Sequence, residues 1–131
     1  MTSAYLDASA IVKLAIEERE SLALVDYLAE GDRAISTSVV AEIEVVRTLQ
    51  LIRSSRADQD DAILGIYLLH LDDDVRRAAL RLKPFELRAL DAIHVATALG
   101  VGDRDLEFVT YDDRQAEAAR AAGLKVVQPG R

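Results

Sequence analysis

The segment LRALDAIHVATALG, residues 87–100, carries one aspartate in an otherwise almost entirely apolar run. Apolar residues at nearly every helical angle predict a helix that is buried over most of its circumference. An ionised Asp91 therefore needs a positive partner, either an arginine such as Arg88 or a metal ion shared with other carboxylates. A capping role is disfavoured, since residues 87–90 already look helical. Hard divalent ions such as Mg²⁺ bind oxygen ligands, so Asp91 is a candidate metal ligand.

Two further aspartates follow predicted strands. Asp7 comes after the short segment AYL, and Asp112 comes after LEFVTY. Both would lie at C-terminal strand ends on one rim of a parallel sheet, where ligands usually bind. Taken singly, each is more simply interpreted as a turn or N-cap aspartate. Both interpretations stay open at this point.

A fourth acid could come from SVVAEIEVVRTLQLIRSS, a predicted long helix that opens on Ser38. Glu42 and Glu44 are two positions apart, so their side chains point to roughly opposite sides of this helix. Only one of them can face a shared site, and the spacing alone does not choose between them. Solvent exposure is the simpler interpretation of each.

The elements that would position these acids alternate along the chain. The strand candidates AYL, AIST, LEFVTY and LKVVQ are separated by helical patterns, which predicts an α/β architecture with a mainly parallel sheet. Ser9 is placed to cap the first helix. Residues 58–71, DQDDAILGIYLLHL, are predicted to begin as a helix and are ambiguous towards their end.

Composition and charge limit the class of protein. We expect a single domain over residues 1–131, without a signal peptide or membrane span. The absence of cysteine excludes disulfides and thiolate metal sites and is typical of a reducing cytoplasm. A net charge of −7 disfavours nucleic-acid binding. However, residues 76–88 contain five basic residues and one acid, so a locally basic surface beside an acidic site is possible.

Four segments in this order resemble PIN-domain ribonucleases, and VapC-type toxins of bacterial toxin–antitoxin pairs in particular. The resemblance runs from Tyr5 to about Val127 and rests on the segments YLDASAIVKL, TSVVAEIEVVRTL, LRALDAIHVATAL and FVTYDDRQAEAARAAGLKVV. It implies a three-layer α/β PIN-like fold with a mainly parallel central sheet flanked by helices. It also implies a metal-dependent endoribonuclease that hydrolyses RNA phosphodiesters.

The resemblance implies a role for each acid. The family motif Ser-x5-Glu-Val-x-Arg lands on Ser38 and Glu44, which selects Glu44 over Glu42, and the first aspartate of TYDD is selected over Asp113. The catalytic residues and ligands of Mg²⁺ or Mn²⁺ would be Asp7, Glu44, Asp91 and Asp112, with Ser9 and Thr110 as supporting hydroxyls. The family pattern treats His94 as a packing residue, although its spacing from Asp91 would also suit a metal ligand.

The resemblance also implies partners. RNA would be the substrate, and its phosphates could meet the basic residues Arg76, Arg77, Arg81, Lys83 and Arg88, for which a solvated helix face is an equally good interpretation. A VapB-type antitoxin and a second copy of the chain would be protein partners, in the cytoplasm and away from membranes. The RNA target and the choice between one and two metal ions stay open.

Three other classes of protein compete with the nuclease. A receiver domain needs an acidic pair after the first strand and a lysine after the last, but Asp7 stands alone and Lys125 lies within a predicted strand. A haloacid-dehalogenase-type phosphatase needs Asp-x-Asp after the first strand, where this chain has Asp7-Ala8-Ser9. The strongest rival is a catalytically weak PIN-like scaffold that acts as a protein-binding module.

Overall fold

The computed structural model describes residues 2–131, which form five strands and seven helices. The strands are β1 (Ser3–Leu6), β2 (Ala34–Ser38), β3 (Tyr67–Leu69), β4 (Glu107–Val109) and β5 (Lys125–Val127). The helices are α1 (Ala8–Ala15), α2 (Ser21–Ala29), α3 (Val39–Leu51), α4 (Arg56–Ile63), α5 (Asp73–Arg81), α6 (Ala89–Gly100) and α7 (Asp113–Ala121). Within residues 2–131, no helix is long and apolar enough to cross a membrane.

All five strands are parallel, in the order β3-β2-β1-β4-β5. Since successive side chains of a strand point to opposite faces, β1 supplies both layers of the core. Ala4 and Leu6 pack with buried residues of α1, α2 and α3, whereas Tyr5 packs with buried residues of α6 and α7. The sheet therefore lies between two helical layers, and the prediction of a three-layer α/β fold with a parallel sheet is confirmed.

The turns behave as their residue types predict. The Ser38 hydroxyl accepts a hydrogen bond from the Val40 amide at 3.1 Å and caps α3. Helix α7 ends before Gly123, whose φ of 92° is readily adopted only by glycine. These local signals explain why the predicted starts and ends of most helices agree with the structure.

The segment 58–71 contains an element that the sequence pattern did not reveal. Helix α4 ends at Ile63, Gly65 adopts a φ of 82°, and Tyr67–Leu69 then forms β3 beside β2. The strand lies in the nearly continuous apolar run ILGIYLLHL, which periodicity alone cannot distinguish from a buried helix. The ambiguous segment therefore contains a turn at Gly65 that joins helix α4 to strand β3.

Two leucines on α2 provide a matched test of this packing. Leu24 is fully buried, whereas Leu22 is 72% exposed. We expect Leu24→Ala to lower the free energy of unfolding by about 2–5 kcal/mol, because it leaves a cavity in the core. Leu22→Ala should change it by less than about 0.5 kcal/mol. Urea titration of both variants would measure the difference, and equal losses would contradict this assignment of the core.

Candidate functional site

The register between β1 and β4 brings two of the predicted acids to one edge of the sheet. Leu6 pairs with Val109, and the Asp7 amide donates to the Val109 carbonyl at 3.1 Å. Asp7 and Thr110 therefore leave the sheet side by side, and Asp112 follows two residues later. This edge is the carboxyl end of the parallel strands, as the sequence predicted.

Asp7 is buried and held by three donors. Its Oδ1 accepts from the Ser9 hydroxyl at 2.6 Å and from the Ala10 amide at 3.1 Å, and its Oδ2 accepts from the Thr110 hydroxyl. Burial raises the pKa of Asp7 above its ordinary value, and the hydrogen bonds from Ser9 and Thr110 oppose that rise. The carboxylate is consequently fixed in position while burial disfavours its negative charge.

Ser9 and Thr110 join the loops that carry the acids. The Ser9 hydroxyl accepts from the Tyr111 amide at 2.9 Å, and the Thr110 hydroxyl accepts from the Asp112 amide at 3.1 Å. The prediction that Ser9 caps α1 is wrong, because Asp7 is the N-cap and Ser9 is the second residue of the helix. A capping role for an aspartate and a place in the site thus coincide at Asp7.

Asp112 is likewise the N-cap of its helix. Its Oδ1 accepts from the amides of Arg114 and Gln115 at 3.0 and 3.2 Å, which fixes the carboxyl group at the start of α7. Asp113 differs, because it is 88% exposed and pairs with Arg131 at 3.0 Å. Geometry therefore favours Asp112 over Asp113 as the residue that faces the sheet edge.

Asp91 lies in the first turn of α6, two residues beyond its start at Ala89. Residues 89 and 90 are helical as expected and residues 87 and 88 are not, and the N-cap is Arg88, so Asp91 has no capping role. Its side chain is only 14% exposed. In the part of the chain that the structure describes, its buried Oδ2 has no hydrogen-bond partner. The guanidinium Nε of Arg114 lies 3.4 Å from that oxygen, so the positive partner is Arg114 and not Arg88.

The environment of Asp91 disfavours its negative charge. Burial raises the pKa of Asp91, Arg114 opposes the rise, and the neighbouring Asp112 adds to it. Arg114 lies within 4 Å of both carboxylates, so Asp91 and Asp112 are near each other. A cation between them would relieve both the desolvation and the repulsion.

Glu44 is held by a buried histidine. Glu44 Oε1 lies 2.8 Å from His94 Nε2, and His94 Nδ1 lies 2.7 Å from the Tyr5 hydroxyl. A carboxylate only accepts hydrogen bonds, and burial raises the pKa of Tyr5 and keeps its hydroxyl protonated, so the neutral tautomer that accepts from the Tyr5 hydroxyl at Nδ1 satisfies both contacts. His94 Nε2 is then the donor to the carboxylate. His94 is buried as predicted, but sequence reasoning missed that it orients an acid.

Glu44 also faces the cleft that Ser9 lines, together with Thr48 and Tyr111. The cleft thus reaches both Glu44 and the hydroxyl that donates to Asp7. The structure brings Asp7 and Asp112 together through Thr110, and Asp91 and Asp112 together through Arg114. Among residues 2–131, no three acidic or histidine side chains converge closely enough to form a ready-made metal site.

The residues nevertheless fit a hard divalent cation. The acids offer only carboxylate oxygens, and Asp91 Oδ2 is a buried acceptor without a donor. Such an oxygen is destabilising unless a cation or a hydrogen bond meets it. Oxygen donors of this kind suit Mg²⁺ and Mn²⁺.

The predicted basic contacts lie outside this network. All five side chains are exposed, on α5 and in the segment up to the start of α6: Arg76, Arg77, Arg81, Lys83 and Arg88. Two of them pair with aspartates of their own helix, Arg76 with Asp73 at 3.8 Å and Arg77 with Asp74 at 3.0 Å. Their contact with RNA stays a prediction.

Comparisons with known proteins identify the family. The PIN domain family profile matches residues 4–121. Ribonuclease VapC46 of Mycobacterium tuberculosis is 45% identical over 130 residues, which cover 98% of this chain and 99% of that protein. Ribonuclease VapC35 of the same species is 37% identical, over 96% of both chains.

Solved structures share the fold at lower sequence identity. A toxin–antitoxin complex from Klebsiella pneumoniae superposes with a TM-score of 0.75 at 20% identity, covering 96% of this chain and 97% of that one. Mycobacterium tuberculosis VapC20, a toxin that cleaves the sarcin–ricin loop, superposes with a TM-score of 0.74 at 19% identity, covering 96% and 99%. Together with the near-full-length sequence matches, these results show that the chain belongs to the PIN-domain family, among the VapC ribonucleases.

Proposed function

We propose that this VapC ribonuclease cleaves RNA with Asp7, Glu44, Asp91 and Asp112 as its catalytic carboxylates, which together hold Mg²⁺ or Mn²⁺. The observation that carries the proposal is the buried Asp91 Oδ2, which lacks a hydrogen-bond donor among the described residues and shares its neighbour Arg114 with the Asp112 carboxylate. A divalent ion bound there would lower the pKa of a water molecule and offset charge on the phosphodiester.

The residues around the acids have positioning roles in this proposal. Ser9 and Thr110 fix the Asp7 carboxylate, and His94 fixes Glu44 through Nε2. Hydrogen bonds to metal-binding carboxylates restrict their orientation and tune their affinity. These three side chains therefore set the directions in which two of the acids present their oxygens.

RNA would approach an acidic edge of the sheet, so phosphate contacts must come from nearby cations. The exposed basic residues of positions 76–88 precede α6, which carries Asp91. In this proposal they bind the RNA backbone, which positions the substrate without selecting its sequence.

The protein partner in this proposal is a VapB-type antitoxin. The superposed Klebsiella structure is a toxin–antitoxin complex, which makes such a partner a reasonable expectation here. The net charge of −7 suits a basic partner, and an arginine of that partner could bind the carboxylates bidentately. We further propose that the chain forms a homodimer and acts in the cytoplasm.

Paired amide substitutions test two of the four acids, Asp91 and Glu44. We expect Asp91→Asn and Glu44→Gln to reduce Mn²⁺-dependent cleavage of cellular RNA by more than about 100-fold, because each removes a metal-binding charge. Their controls, Asp113→Asn and Glu42→Gln, make the same chemical changes at acids outside the proposed site and should stay within about threefold of wild type. Cleavage would be followed on gels, with EDTA to remove the metal.

Equal rates for Glu42→Gln and Glu44→Gln would contradict the assignment of Glu44. If folded wild-type protein cleaves no RNA in Mn²⁺, the scaffold interpretation replaces the nuclease. Cleavage that survives EDTA would contradict metal dependence.

Melting temperatures give a second prediction that does not need RNA. Wild type should be stabilised by Mn²⁺, by about 2.7 kcal/mol at one hundred times the dissociation constant. Asp91→Asn should lose most of this stabilisation, since the buried Oδ2 loses its charge. An equal Mn²⁺-dependent rise in both proteins would place the metal elsewhere.

Thr110→Val tests the support of Asp7. The variant keeps the shape of the side chain but leaves a buried carboxylate oxygen without its donor. We expect a loss of about 1–3 kcal/mol in the free energy of unfolding and Mn²⁺ binding about 10–100-fold weaker. Thr48→Val is the control, because the Thr48 hydroxyl is exposed and donates to the Glu44 carbonyl of its own helix. Equal losses in the two variants would contradict a supporting role for Thr110.

A further inference from the structure

Arg114 lies between two of the candidate metal ligands. Its Nε is 3.4 Å from Asp91 Oδ2, and its Nη2 is 3.8 Å from Asp112 Oδ2. Its backbone amide donates to Asp112 Oδ1 at 3.0 Å, so the start of its side chain is fixed beside that carboxylate. The guanidinium therefore supplies positive charge to the space that a cation shared by Asp91 and Asp112 would use.

The fit of this guanidinium to the carboxylates is loose. Distances of 3.4 and 3.8 Å exceed those of a bidentate arginine–carboxylate pair. Asp91 Oδ2 is buried yet lacks a hydrogen-bond donor within residues 2–131, even with Arg114 beside it. Arg114 compensates charge here without satisfying the oxygen, and this leaves the carboxylate free to bind a better partner.

The side chain of Arg114 also has space to move away from the two carboxylates. It is 49% exposed, and ion pairs with such exposure contribute little to stability. Beside it lies an open depression lined by Pro84, Leu87 and Glu117. Leu87 and Pro84 belong to the segment that carries the basic residues Lys83 and Arg88. An outward movement of the guanidinium would place it next to the proposed path of the RNA.

We propose that Arg114 occupies the place of the cation in the metal-free protein, yields it to a divalent ion, and then binds a phosphate of the RNA substrate. The inference rests on the proposed function. Arginine is suited to binding the phosphate because its planar guanidinium matches the geometry of phosphate oxygens. One side chain would thus stabilise the carboxylates without metal and position the substrate with it.

Titration with Mn²⁺ alone tests whether Arg114 occupies the place of the cation in the metal-free protein. By isothermal titration calorimetry without RNA, Arg114→Gln should bind Mn²⁺ about two- to fivefold more tightly than wild type, because a competing charge is removed. Arg114→Lys keeps the charge and should bind more weakly than Arg114→Gln. Arg120→Gln is the matched control, since Arg120 is exposed in the last turn of the same helix and the variant has the same net charge. It should bind Mn²⁺ like wild type.

The titration distinguishes failure of the Arg114 role from failure of the metal site. Mn²⁺ affinity that is unchanged or lower in Arg114→Gln overturns the role of Arg114 while the proposed metal site stands. A folded wild type that binds no Mn²⁺ overturns the metal site, and the role of Arg114 with it.

The contact between Arg114 and phosphate is tested with a labelled RNA of random sequence. Its affinity for the protein is measured by fluorescence anisotropy in the presence of Ca²⁺ at several salt concentrations. Loss of one phosphate contact should reduce the slope of log affinity against log salt by about 0.7 for single-stranded RNA. We expect this reduction in Arg114→Gln and not in Arg120→Gln. Equal slopes in wild type and Arg114→Gln overturn the phosphate contact.

Discussion

The compensation of buried negative charge at the carboxyl edge of the sheet governs the rest of this site. Several carboxylates are shielded from water there, and this desolvation costs free energy unless hydrogen bonds or cations compensate it. The compensating groups differ between the acids. Hydroxyl and amide donors bind Asp7, an imidazole binds Glu44, and a guanidinium lies beside Asp91 and Asp112. Among the buried acid oxygens that the structure describes, only Asp91 Oδ2 lacks a hydrogen-bond donor.

The fold connects these partners to both layers of the core. Tyr5 lies in the central strand, stacks on Phe108 with ring centroids 5.2 Å apart, and reaches His94 on α6. His94 in turn holds Glu44 on α3, so the position of this acid depends on a strand and a helix from different parts of the chain. A site built in this way is held by buried, well-packed side chains, which is the usual requirement for fixed catalytic geometry.

The sequence predicted the acids better than their partners. Asp7 and Asp112 could be placed together because both follow strands, and parallel strands share a carboxyl edge. Glu44 needed the family resemblance, since the spacing alone could not separate it from Glu42.

Arg114 and His94 could not be recognised as partners, because their contacts join helices that are distant in sequence. The signal for Arg114 was local but weak: a cation two residues after a capping aspartate. Strand β3 was missed because it lies in an apolar run that fits a buried helix equally well. The single domain over residues 1–131 and the roles of the four acids stay predictions.

A crystal structure of the wild-type protein grown in Mn²⁺, with anomalous diffraction to locate the ion, tests the central claim most directly. We expect a manganese peak at bonding distance from Asp91 Oδ2, shared with at least one of the other three acids, and an Arg114 guanidinium that has moved away from Asp91. Manganese bound elsewhere, or a site without manganese in which Arg114 still lies against Asp91, would contradict it.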